Sequence, residues 1–385
     1  MSPRARRLTA TIGAFVAACV VMLSAFAGSA AARPYPTMPD RIMSIKLTKN
    51  SADMKRIAEY WTPARLKEVQ NNTPAIPESK PSGSATATAT PTATPSVSPT
   101  PSASPVATAK ATPRPKTVAS SPIIRPTLPK KSLPTTGNSP ITVGKVFFRM
   151  GDKDYWCSAS SVASANHNLV ATAAHCAYDA RQGRAANYWI FIPGYSQGKT
   201  PYGIYVGHSL NLHEDFPGMG DYDFDYAFVT VHDGFRWKPG KAPDTYEMED
   251  VGSLEDNVGG QGLVINRHAG MYVFAFGYPA APHIDGSRPY DGQKVLWCDG
   301  RTKRQNAPAR LVELGIALQC GFTAGASGGP WLVGYNPSTG LGYLNGVNSL
   351  AWDTDVDRKY DQISSPYFTR WTYAVYQWAE KQRPA

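Results

Sequence analysis

The sequence has little charge, and what it has is unevenly distributed. Charged residues make up 18% of the 385 positions. Residues 1–140 hold 18 Lys and Arg against 5 Asp and Glu, whereas residues 141–385 hold 21 against 24. A nucleic-acid-binding domain concentrates basic residues on its folded part. The basic excess lies in the first region instead, which argues against a nucleic-acid partner.

Cysteine is also scarce, and its spacing lacks the close Cys-x-x-Cys pairs typical of a zinc site. Of the five cysteines, Cys19 lies in an apolar N-terminal stretch, which leaves Cys157, Cys176, Cys298 and Cys320. An even set in an exported chain predicts two disulfides, with three pairings open. Pairing in sequence order would close loops of 19 and 22 residues, each contributing about 3 kcal/mol by constraining the unfolded chain.

A complete calcium-binding motif is lacking too. Asp353-x-Asp355-x-Asp357 begins like an EF-hand loop, but Arg358 replaces the turn glycine and Ser364 the final glutamate. We interpret this stretch as a solvated loop, and expect no metal and no cofactor.

The N-terminus has the pattern of a secretory signal. Arg4, Arg6 and Arg7 precede an apolar stretch at about residues 8–26, and Ala30–Ala32 offer a cleavage site. Residues 1–32 are therefore predicted to be a signal peptide, which makes the mature protein secreted and free of the membrane. Two alternatives stay open: the stretch is nearly long enough to remain as an anchor in the cell envelope, and Cys19 resembles a lipoprotein site.

Residues 33–76 form a short N-terminal segment, which is a candidate pro-segment. Within it, Ser51–Trp61 is predicted to be helical, and Thr62-Pro63 has the pattern of a second helix start. Residues 77–140 are dominated by Pro, Ser, Thr and Ala. Such a tract cannot bury enough apolar surface to offset chain entropy, which predicts a disordered linker. Leu133–Gly137 matches a wall-sorting motif, which we interpret as coincidence.

From residue 141 the sequence consists of short β-rich runs separated by Gly, Pro and Asp. This pattern predicts an antiparallel barrel or sandwich. A helix is predicted at the end, where Trp371, Ala374, Val375 and Trp378 recur at three- and four-residue spacing. The β-rich runs are Val143–Phe148, Leu169–Ala173, Tyr188–Ile192, Tyr226–Val231, Met271–Phe276, Lys294–Trp297, Pro330–Gly334 and Leu344–Val347.

Gly325-Ala326-Ser327-Gly328-Gly329 is the strongest local signal. A nucleophilic serine needs an exposed tight turn, which glycine permits, and the backbone N–H groups of Gly325 and Ser327 can bind the oxyanion of acyl transfer. The motif also fits the nucleophile elbow of α/β-hydrolases, whose histidine follows the serine. None of the seven histidines follows Ser327, so the elbow interpretation fails.

His175 supplies a general base that precedes the serine. It follows an apolar run that begins at Leu169, where a strand ends, and Cys176 beside it can fix the turn. Asp225 enters the next apolar run and is the candidate that orients the imidazole. Asp221 and Asp223 are the rivals, at a spacing that places them on the same face of a strand.

Together these residues resemble the chymotrypsin-like secreted bacterial serine peptidases, in particular the branch with the glutamyl endopeptidases. The resemblance spans residues 141–385 and rests on Thr172–Cys176, Asp225–Val229, Gly325–Pro330 and the closing helix. It implies an all-β fold of two packed six-stranded Greek-key barrels, divided near residue 255, with the triad His175, Asp225 and Ser327 between them.

The resemblance also shows where this sequence departs from its relatives, and it implies which residues would bind the substrate. Ala326 stands where many relatives have an aspartate that pairs with a new N-terminus, so activation by that ion pair is not expected. Gly321 would line the floor of the specificity pocket, and Asn348 stands in the strand where glutamyl-specific relatives have a histidine. Ser349 and Leu350 would pair with an extended substrate. A neutral pocket for an uncharged residue is the resulting expectation.

The expected function is a secreted, monomeric serine endopeptidase that acts on proteins or peptides. Two alternatives use the same fold. One is an inactive binding or adhesion protein held by the linker, and the other is an esterase-like acyl hydrolase.

Overall fold

The structure is a computed structural model that describes residues 41–71, 121–130, 139–242 and 245–384. These residues belong to one compact unit. The predicted signal peptide, residues 1–32, lies outside them. Within the described part, no helix is long and apolar enough to cross a membrane.

Strands dominate the described residues, as the sequence predicts, and the all-β class with a closing helix is confirmed. The described ranges contain five α-helices: α1 (Ser51–Tyr60), α2 (Pro63–Asn71), α3 (Asp215–Met219), α4 (Leu254–Val258) and α5 (Arg370–Ala379). The strands are, in chain order, β1 (Ile42–Lys46), β2 (Ile123–Ile124), β3 (Val143–Met150), β4 (Lys153–Val162), β5 (Leu169–Thr172), β6 (Tyr178–Asp179), β7 (Arg184–Ala185), β8 (Asn187–Pro193), β9 (Tyr205–His213), β10 (Ala227–Val231), β11 (Gly234–Pro239), β12 (Tyr246–Gly252), β13 (Gly262–Val264), β14 (Tyr272–Gly277), β15 (Leu296–Arg301), β16 (Lys303–Ala307), β17 (Val312–Gln319), β18 (Pro330–Asn336), β19 (Leu341–Val347), β20 (Leu350–Trp352) and β21 (Gln362–Ser365).

The first half of the fold is a closed antiparallel barrel. Its strands follow the order β9-β10-β5-β4-β3-β8, and β8 pairs back onto β9. Apolar side chains such as Val146, Leu169, Ile190 and Val229 are fully buried inside it. β5 and β10 lie side by side in this barrel, which brings together the chain segments that carry His175 and Asp225.

The second half is built from two sheets. One follows the order β15-β14-β18-β19-β13-β2, and the other follows β16-β17-β21-β20. Trp331 and Leu344 are fully buried here. The nucleophile motif forms the connection into β18, so the serine lies where the chain enters the middle of the first of these sheets.

The closing helix α5 begins where the sequence places its cap. The Thr369 side chain accepts a hydrogen bond from Trp371 N, and Thr372 Oγ1 accepts one from Thr369 N. This reciprocal capping satisfies N–H groups that a helix start otherwise leaves unpaired. The ring of Tyr376 packs edge-on against Phe228 of β10, so the helix covers the strand that follows Asp225.

The four cysteines outside the N-terminal stretch pair in sequence order. Cys157 in β4 bonds to Cys176, and Cys298 in β15 bonds to Cys320. Of the three pairings that the sequence left open, the structure has the one with the shortest loops. The first bond ties the residue beside His175 to the neighbouring strand of the barrel.

Part of the predicted linker belongs to the fold, which corrects the prediction of disorder for that part. Ile123 and Ile124 pair with Val264 and Leu263 of β13, and Thr127 exchanges two backbone hydrogen bonds with Gly260. The two isoleucines add a short strand to the edge of the sheet, and this pairing holds the segment in place. The sequence did not predict it, because the surrounding composition of Pro, Ser and Thr is typical of disorder. Residues 77–120 and 131–138 lie outside the described residues.

Candidate active site

His175 lies in a short 3-10 turn directly after β5. The turn spans Ala174–Cys176, and Cys176 anchors it through the disulfide. Ala173 and Ala174 on its N-terminal side are fully buried, so small side chains let the turn sit against the barrel. The His175 side chain keeps 15% of its surface exposed, which leaves the imidazole partly open to solvent.

Asp225 is the direct partner of that imidazole. Its carboxylate is completely buried, and Oδ2 lies 2.8 Å from His175 Nδ1. Oδ1 accepts a hydrogen bond from the backbone N of His175 at 2.9 Å. Because a carboxylate can only accept, Nδ1 carries the proton and Nε2 of the neutral ring is left as the base. Two bonds to one residue fix both the ring and its tautomer.

The rival aspartates bond elsewhere. Asp221 accepts a hydrogen bond from Asp223 N at the start of the 3-10 turn Tyr222–Phe224, and burial raises its pKa to about 6. The Asp223 carboxylate accepts bonds from the backbone N of Glu313 and Leu314 in β17. Their role is to shape the loop that delivers Asp225.

Glycine is required in the loop around Ser327. Gly325 and Gly328 both have positive φ, of 102° and 79°, which favours glycine over residues with a Cβ. A Cβ on Gly328 would lie 2.1 Å from Thr172 Oγ1 of β5. This close approach places the nucleophile loop against the end of the strand that leads to His175.

Ser158 of β4 holds the same loop from the first barrel. Its backbone N donates to Ser327 O at 2.7 Å, and its hydroxyl donates to Gly325 O at 2.9 Å. Both carbonyl groups therefore point towards β4. Among the described residues, the N–H groups of Gly325 and Ser327 donate to no acceptor, whereas Ala326 N between them donates to Thr323 O. Backbone N–H groups without an acceptor are the kind of donor that an oxyanion site uses.

His175 and Ser327 line one narrow cavity. Its other lining residues include Cys157, Gly325, Ser349 and Leu350, which the sequence predicted, and several that it did not. The lining residues are Trp156, Cys157, His175, Tyr222, Arg310, Ala324, Gly325, Ser327, Ser349 and Leu350. Tyr222 stacks on the His175 ring, with centroids 6.4 Å apart, and the Arg310 guanidinium lies over the Tyr222 ring. Tyr222 stands three residues before Asp225, so the sequence offered a positional signal for it, but none for Arg310.

Leu350 and Ser349 also line this cavity, and Ser349 has a further role. Its hydroxyl donates to Asp225 Oδ2 at 2.6 Å, so the carboxylate accepts three hydrogen bonds. Leu350 opens β20, which is the last strand of its sheet and pairs with β21 on one side. Its other side is an unpaired edge within the described chain, suited to an extended peptide.

Asn348 and Gly321 do not line this cavity. The Asn348 amide donates to Ala326 O and Phe276 O, both at 2.8 Å, and its oxygen accepts from Trp331 Nε1. Its side chain is therefore committed to the interior, which corrects the expectation of a substrate contact. Gly321 lies beside Tyr290 and Tyr360, so its place in the specificity pocket stays a prediction.

Lys145 lies behind the cavity in a cage of aromatic rings. Its Nζ is 4.2 Å from the Trp156 ring centre and 4.5 Å from that of Tyr195, with Phe147 and Tyr278 further out. The side chain is fully buried, and within the described residues Nζ has no hydrogen-bond partner. Burial lowers the lysine pKa to about 7, while the charge of Asp291 acts in the opposite direction. Trp156 separates this cage from Gly325.

The acidic stretch of the sequence does come together in space. Carboxylate oxygens of Asp353, Asp355 and Asp357 lie within 4.8 Å of one another, and Asp353 also accepts a bond from Arg358 N. Exposed acidic groups commonly cluster without an ion, so the expectation of a solvated loop stays a prediction.

No family model and no curated protein matches the sequence. Solved structures do match. The thermostable serine protease AL20 from an extremophilic microorganism is 29% identical over 64% of this chain and 100% of its own, with a TM-score of 0.52. The protease Anisep from Arthrobacter nicotinovorans is 28% identical over 64% of this chain and 98% of its own, also with a TM-score of 0.52.

The fold is that of the bacterial serine proteases. The resemblance inferred from the motifs is thereby confirmed at the level of fold. A Glu endopeptidase is also among the structural neighbours, at 12% identity, 64% coverage of this chain, 95% coverage of its own and a TM-score of 0.44. Both stronger matches leave about a third of this chain without a counterpart, so the serine protease fold carries additional sequence here.

Proposed function

We propose that this chain is a secreted serine endopeptidase that cleaves peptide bonds through an acyl-enzyme on Ser327. The observation that carries the proposal is the bond from His175 Nδ1 to the buried Asp225 carboxylate, at a cavity that His175 and Ser327 both line. This arrangement supports general-base activation of a serine, because the hydroxyl is a weak nucleophile until a positioned base takes its proton.

In the acylation step, Ser327 Oγ attacks the carbonyl carbon of the scissile bond while His175 Nε2 takes the hydroxyl proton. The carbonyl oxygen becomes an oxyanion, and the N–H groups of Gly325 and Ser327 donate to it. The imidazolium then gives its proton to the leaving nitrogen, the C–N bond breaks, and an amine departs. Asp225 stays ionised and stabilises the imidazolium.

In the deacylation step, water replaces the amine. The water oxygen attacks the ester carbon while His175 takes a proton from the water. The N–H groups of Gly325 and Ser327 again bind the oxyanion. The proton returns to Ser327 Oγ as the ester bond breaks, which releases a carboxylic acid and restores the enzyme. One water is consumed for each peptide bond.

The edge of β20 supports cleavage within a chain. A substrate strand that pairs with Leu350 can extend in both directions, which suits an endopeptidase acting on proteins or peptides. The expected preference for an uncharged residue rests on the absence of an acidic side chain at Gly321. Export is supported by the two disulfides, because such bonds persist in oxidising compartments, and by the predicted signal peptide.

The test is labelling of the purified protein with a fluorophosphonate, followed by cleavage of casein. We expect one label on Ser327, located by peptide mapping, and loss of both labelling and cleavage in Ser327→Ala. Ser338→Ala, which changes an exposed turn serine, is the matched control and should retain both. Unlabelled wild-type protein, or labelled Ser327→Ala, would contradict the proposal.

The same samples separate the alternatives. An acyl hydrolase of the esterase kind would hydrolyse small esters and leave every member of a peptide library intact. A binding or adhesion protein would retain casein without turnover and would not react with the fluorophosphonate.

A further inference from the structure

The N-terminal segment, residues 41–71, is built into the first barrel. Its strand β1 runs antiparallel to β9 with five residue pairs, from Ile42 opposite His213 to Lys46 opposite Ser209. β10 occupies the other side of β9, and β8 reaches only its first two residues. β1 therefore completes the pairing of a barrel strand that is otherwise left with an open edge.

Trp61 is the apolar anchor of the segment. It has no exposed surface and lies at the break between α1 and α2. Its indole Nε1 donates to Tyr188 O of β8 at 2.5 Å, and its ring packs against Phe147 of β3. Trp237 Nε1 donates to Trp61 O at 3.2 Å. The anchor thus contacts three separate strands of the catalytic half.

Asp154 provides the polar anchor on the barrel side. Its carboxylate accepts a hydrogen bond from Tyr60 Oη at 2.7 Å and two from the Arg65 guanidinium at 2.8 and 3.1 Å. Only 12% of the Asp154 side chain is exposed. The Arg65 guanidinium also lies over the Tyr60 ring, 3.8 Å from its centre. Charge-assisted bonds shielded from solvent are among the stronger polar contacts.

The chain is held again after residue 120, by contacts with the second half of the fold. β2 pairs with β13, Thr127 bonds to Gly260, and Lys130 forms an ion pair with Asp256 at 3.0 Å. Residues 72–120 therefore connect two independently attached segments, so a break between them would detach neither by itself.

Neither attached segment reaches the catalytic cavity. None of the described residues of 41–71 or 121–130 lines the space that holds His175 and Ser327. A leader that inhibits by blocking the site would have to occupy that space. The contacts instead resemble those of an ordinary part of a barrel.

We propose that residues 41–71 are a permanent, non-inhibitory part of the mature protein, which stays bound to the barrel when the chain is cut between residues 72 and 120. The cut adds one water across one peptide bond and yields a two-piece protein held without covalent linkage. The proposal concerns binding of the segment and stands apart from the catalytic role of Ser327.

The experiment uses the full chain carrying Ser327→Ala, so that the protein cannot process itself. A recognition sequence for a site-specific protease is inserted after residue 100 and cut to completion. Size-exclusion chromatography and native mass spectrometry then measure whether the N-terminal piece remains. We expect the two pieces to co-elute in a 1:1 ratio, and separation under native conditions would overturn the proposal.

Two variants make the result specific. In the cut chain, Asp154→Asn should release the N-terminal piece at least tenfold faster, because the bond to Arg65 loses its charge. Asp152→Asn is the matched control, since the Asp152 side chain is fully exposed, and its release should equal that of the parent. Trp61→Ala should release the piece faster still. If the Trp61→Ala protein does not fold, Arg65→Ala tests the same interface, because the Arg65 side chain is partly exposed and its loss should be tolerated.

The activity arm separates this proposal from an inhibitory role. In the chain with Ser327 intact, the fluorophosphonate labelling rate should change less than twofold on cutting. A tenfold or larger rise, with loss of the N-terminal piece, would identify an inhibitor and overturn the proposal. Absence of any labelling would contradict the catalytic role of Ser327. The proposal on residues 41–71 would then be decided by whether the two pieces co-elute.

Discussion

The side-chain amide of Asn348 donates a hydrogen bond to the carbonyl oxygen of Ala326, the residue before the nucleophile, at 2.8 Å. The same nitrogen donates to Phe276 O of β14, and the amide oxygen accepts from Trp331 Nε1. One buried side chain thus ties the nucleophile loop to the strand beneath it. Ala326 cannot form the ion pair that an aspartate would make at its position, and Asn348 supplies an attachment that needs no chain cleavage.

We expect Asn348→Ala to lower the stability of the protein by roughly 2–4 kcal/mol, because it removes three buried hydrogen bonds and leaves the Trp331 indole N–H buried without its partner. The labelling rate of Ser327 should fall at least tenfold, since the loop loses its side-chain attachment at Ala326 and keeps only those to Ser158 and to the backbone. Urea unfolding and labelling kinetics measure the two effects. Asn336→Ala, at the exposed end of β18, is the control, and an unchanged labelling rate in a folded Asn348→Ala would contradict the role.

Asp225→Asn should reduce kcat by about 10⁴ with little change in KM, because the amide cannot hold the His175 ring in the required tautomer or stabilise its charged form. Asp221→Asn is the matched control. Its carboxyl is part of the same loop without contacting the imidazole, and kcat should stay within about threefold of wild type. Steady-state kinetics on a peptide substrate, with circular dichroism to check folding, make the comparison.

Ser349→Ala should have a milder effect than Asp225→Asn. It removes one of three hydrogen bonds to the carboxylate, a contribution of roughly 1.5–3 kcal/mol for a bond to a charged group. We therefore expect kcat to fall by roughly one to two orders of magnitude. A fall as large as that of Asp225→Asn would mean that Ser349 contributes more than orientation of the carboxylate.

Lys145→Met should stabilise the protein, and by an amount that depends on pH. The pKa of Lys145 is about 7 in the folded state against a usual 10.5, so between these values the unfolded chain binds a proton that the folded one does not. The free energy of unfolding of the wild-type protein therefore rises with pH between about 7 and 10.5, and the full cost of burying the charged lysine applies below pH 7. The gain from Lys145→Met should be a few kcal/mol at pH 6 and should shrink towards pH 10.

The measurement is urea unfolding of wild type and Lys145→Met at pH 6, 8 and 10. Other titrating groups are common to both proteins and cancel in the difference. If the difference in unfolding free energy between the two proteins stays constant from pH 6 to pH 10, the lysine remains charged in its aromatic cage throughout.

The two disulfides should differ in their effect on activity. Removing either pair by double Cys→Ala substitution should destabilise the protein by about 3 kcal/mol, because the loops of 19 and 22 residues are similar. Loss of Cys157–Cys176 should also slow the labelling of Ser327 at least tenfold, since Cys176 adjoins His175 and Cys157 lines the cavity. Loss of Cys298–Cys320 should leave the labelling rate within threefold. Equal effects on labelling would contradict this distinction.

Local patterns predicted much of the fold. The apolar runs at Val143–Phe148, Leu169–Ala173 and Pro330–Gly334 all coincide with strands, because buried β-strands need continuous or alternating apolar residues. β4 was missed, since its centre, Cys157–Ser161, reads as small and polar. In the structure those residues are buried against the nucleophile loop and the neighbouring strand, a tertiary context that local pattern does not contain.

The sequence predicted those residues of the candidate site that lie in local motifs. His175, Ser327 and Asp225 each follow from a local pattern, and the structure brings all three chain segments together. Arg310 and Trp156 could not be found, because neither belongs to a motif: Arg310 enters the cavity from the 3-10 turn between β16 and β17, and Trp156 enters it from β4. Asn348 was placed in the substrate pocket by resemblance. Its three internal hydrogen bonds show that a buried amide beside a glycine-rich loop is better interpreted as a brace.

The pairing of β1 with β9 has a consequence for solubility. An unpaired strand edge is a template for pairing with another molecule, and without β1 the backbone of residues 209–213 would present such an edge. The chain covers this edge with its own N-terminal segment and leaves open the three-residue strand at Leu350. Loss of residues 41–71 would therefore expose a further edge, longer than that of β20, through which copies could associate and aggregate.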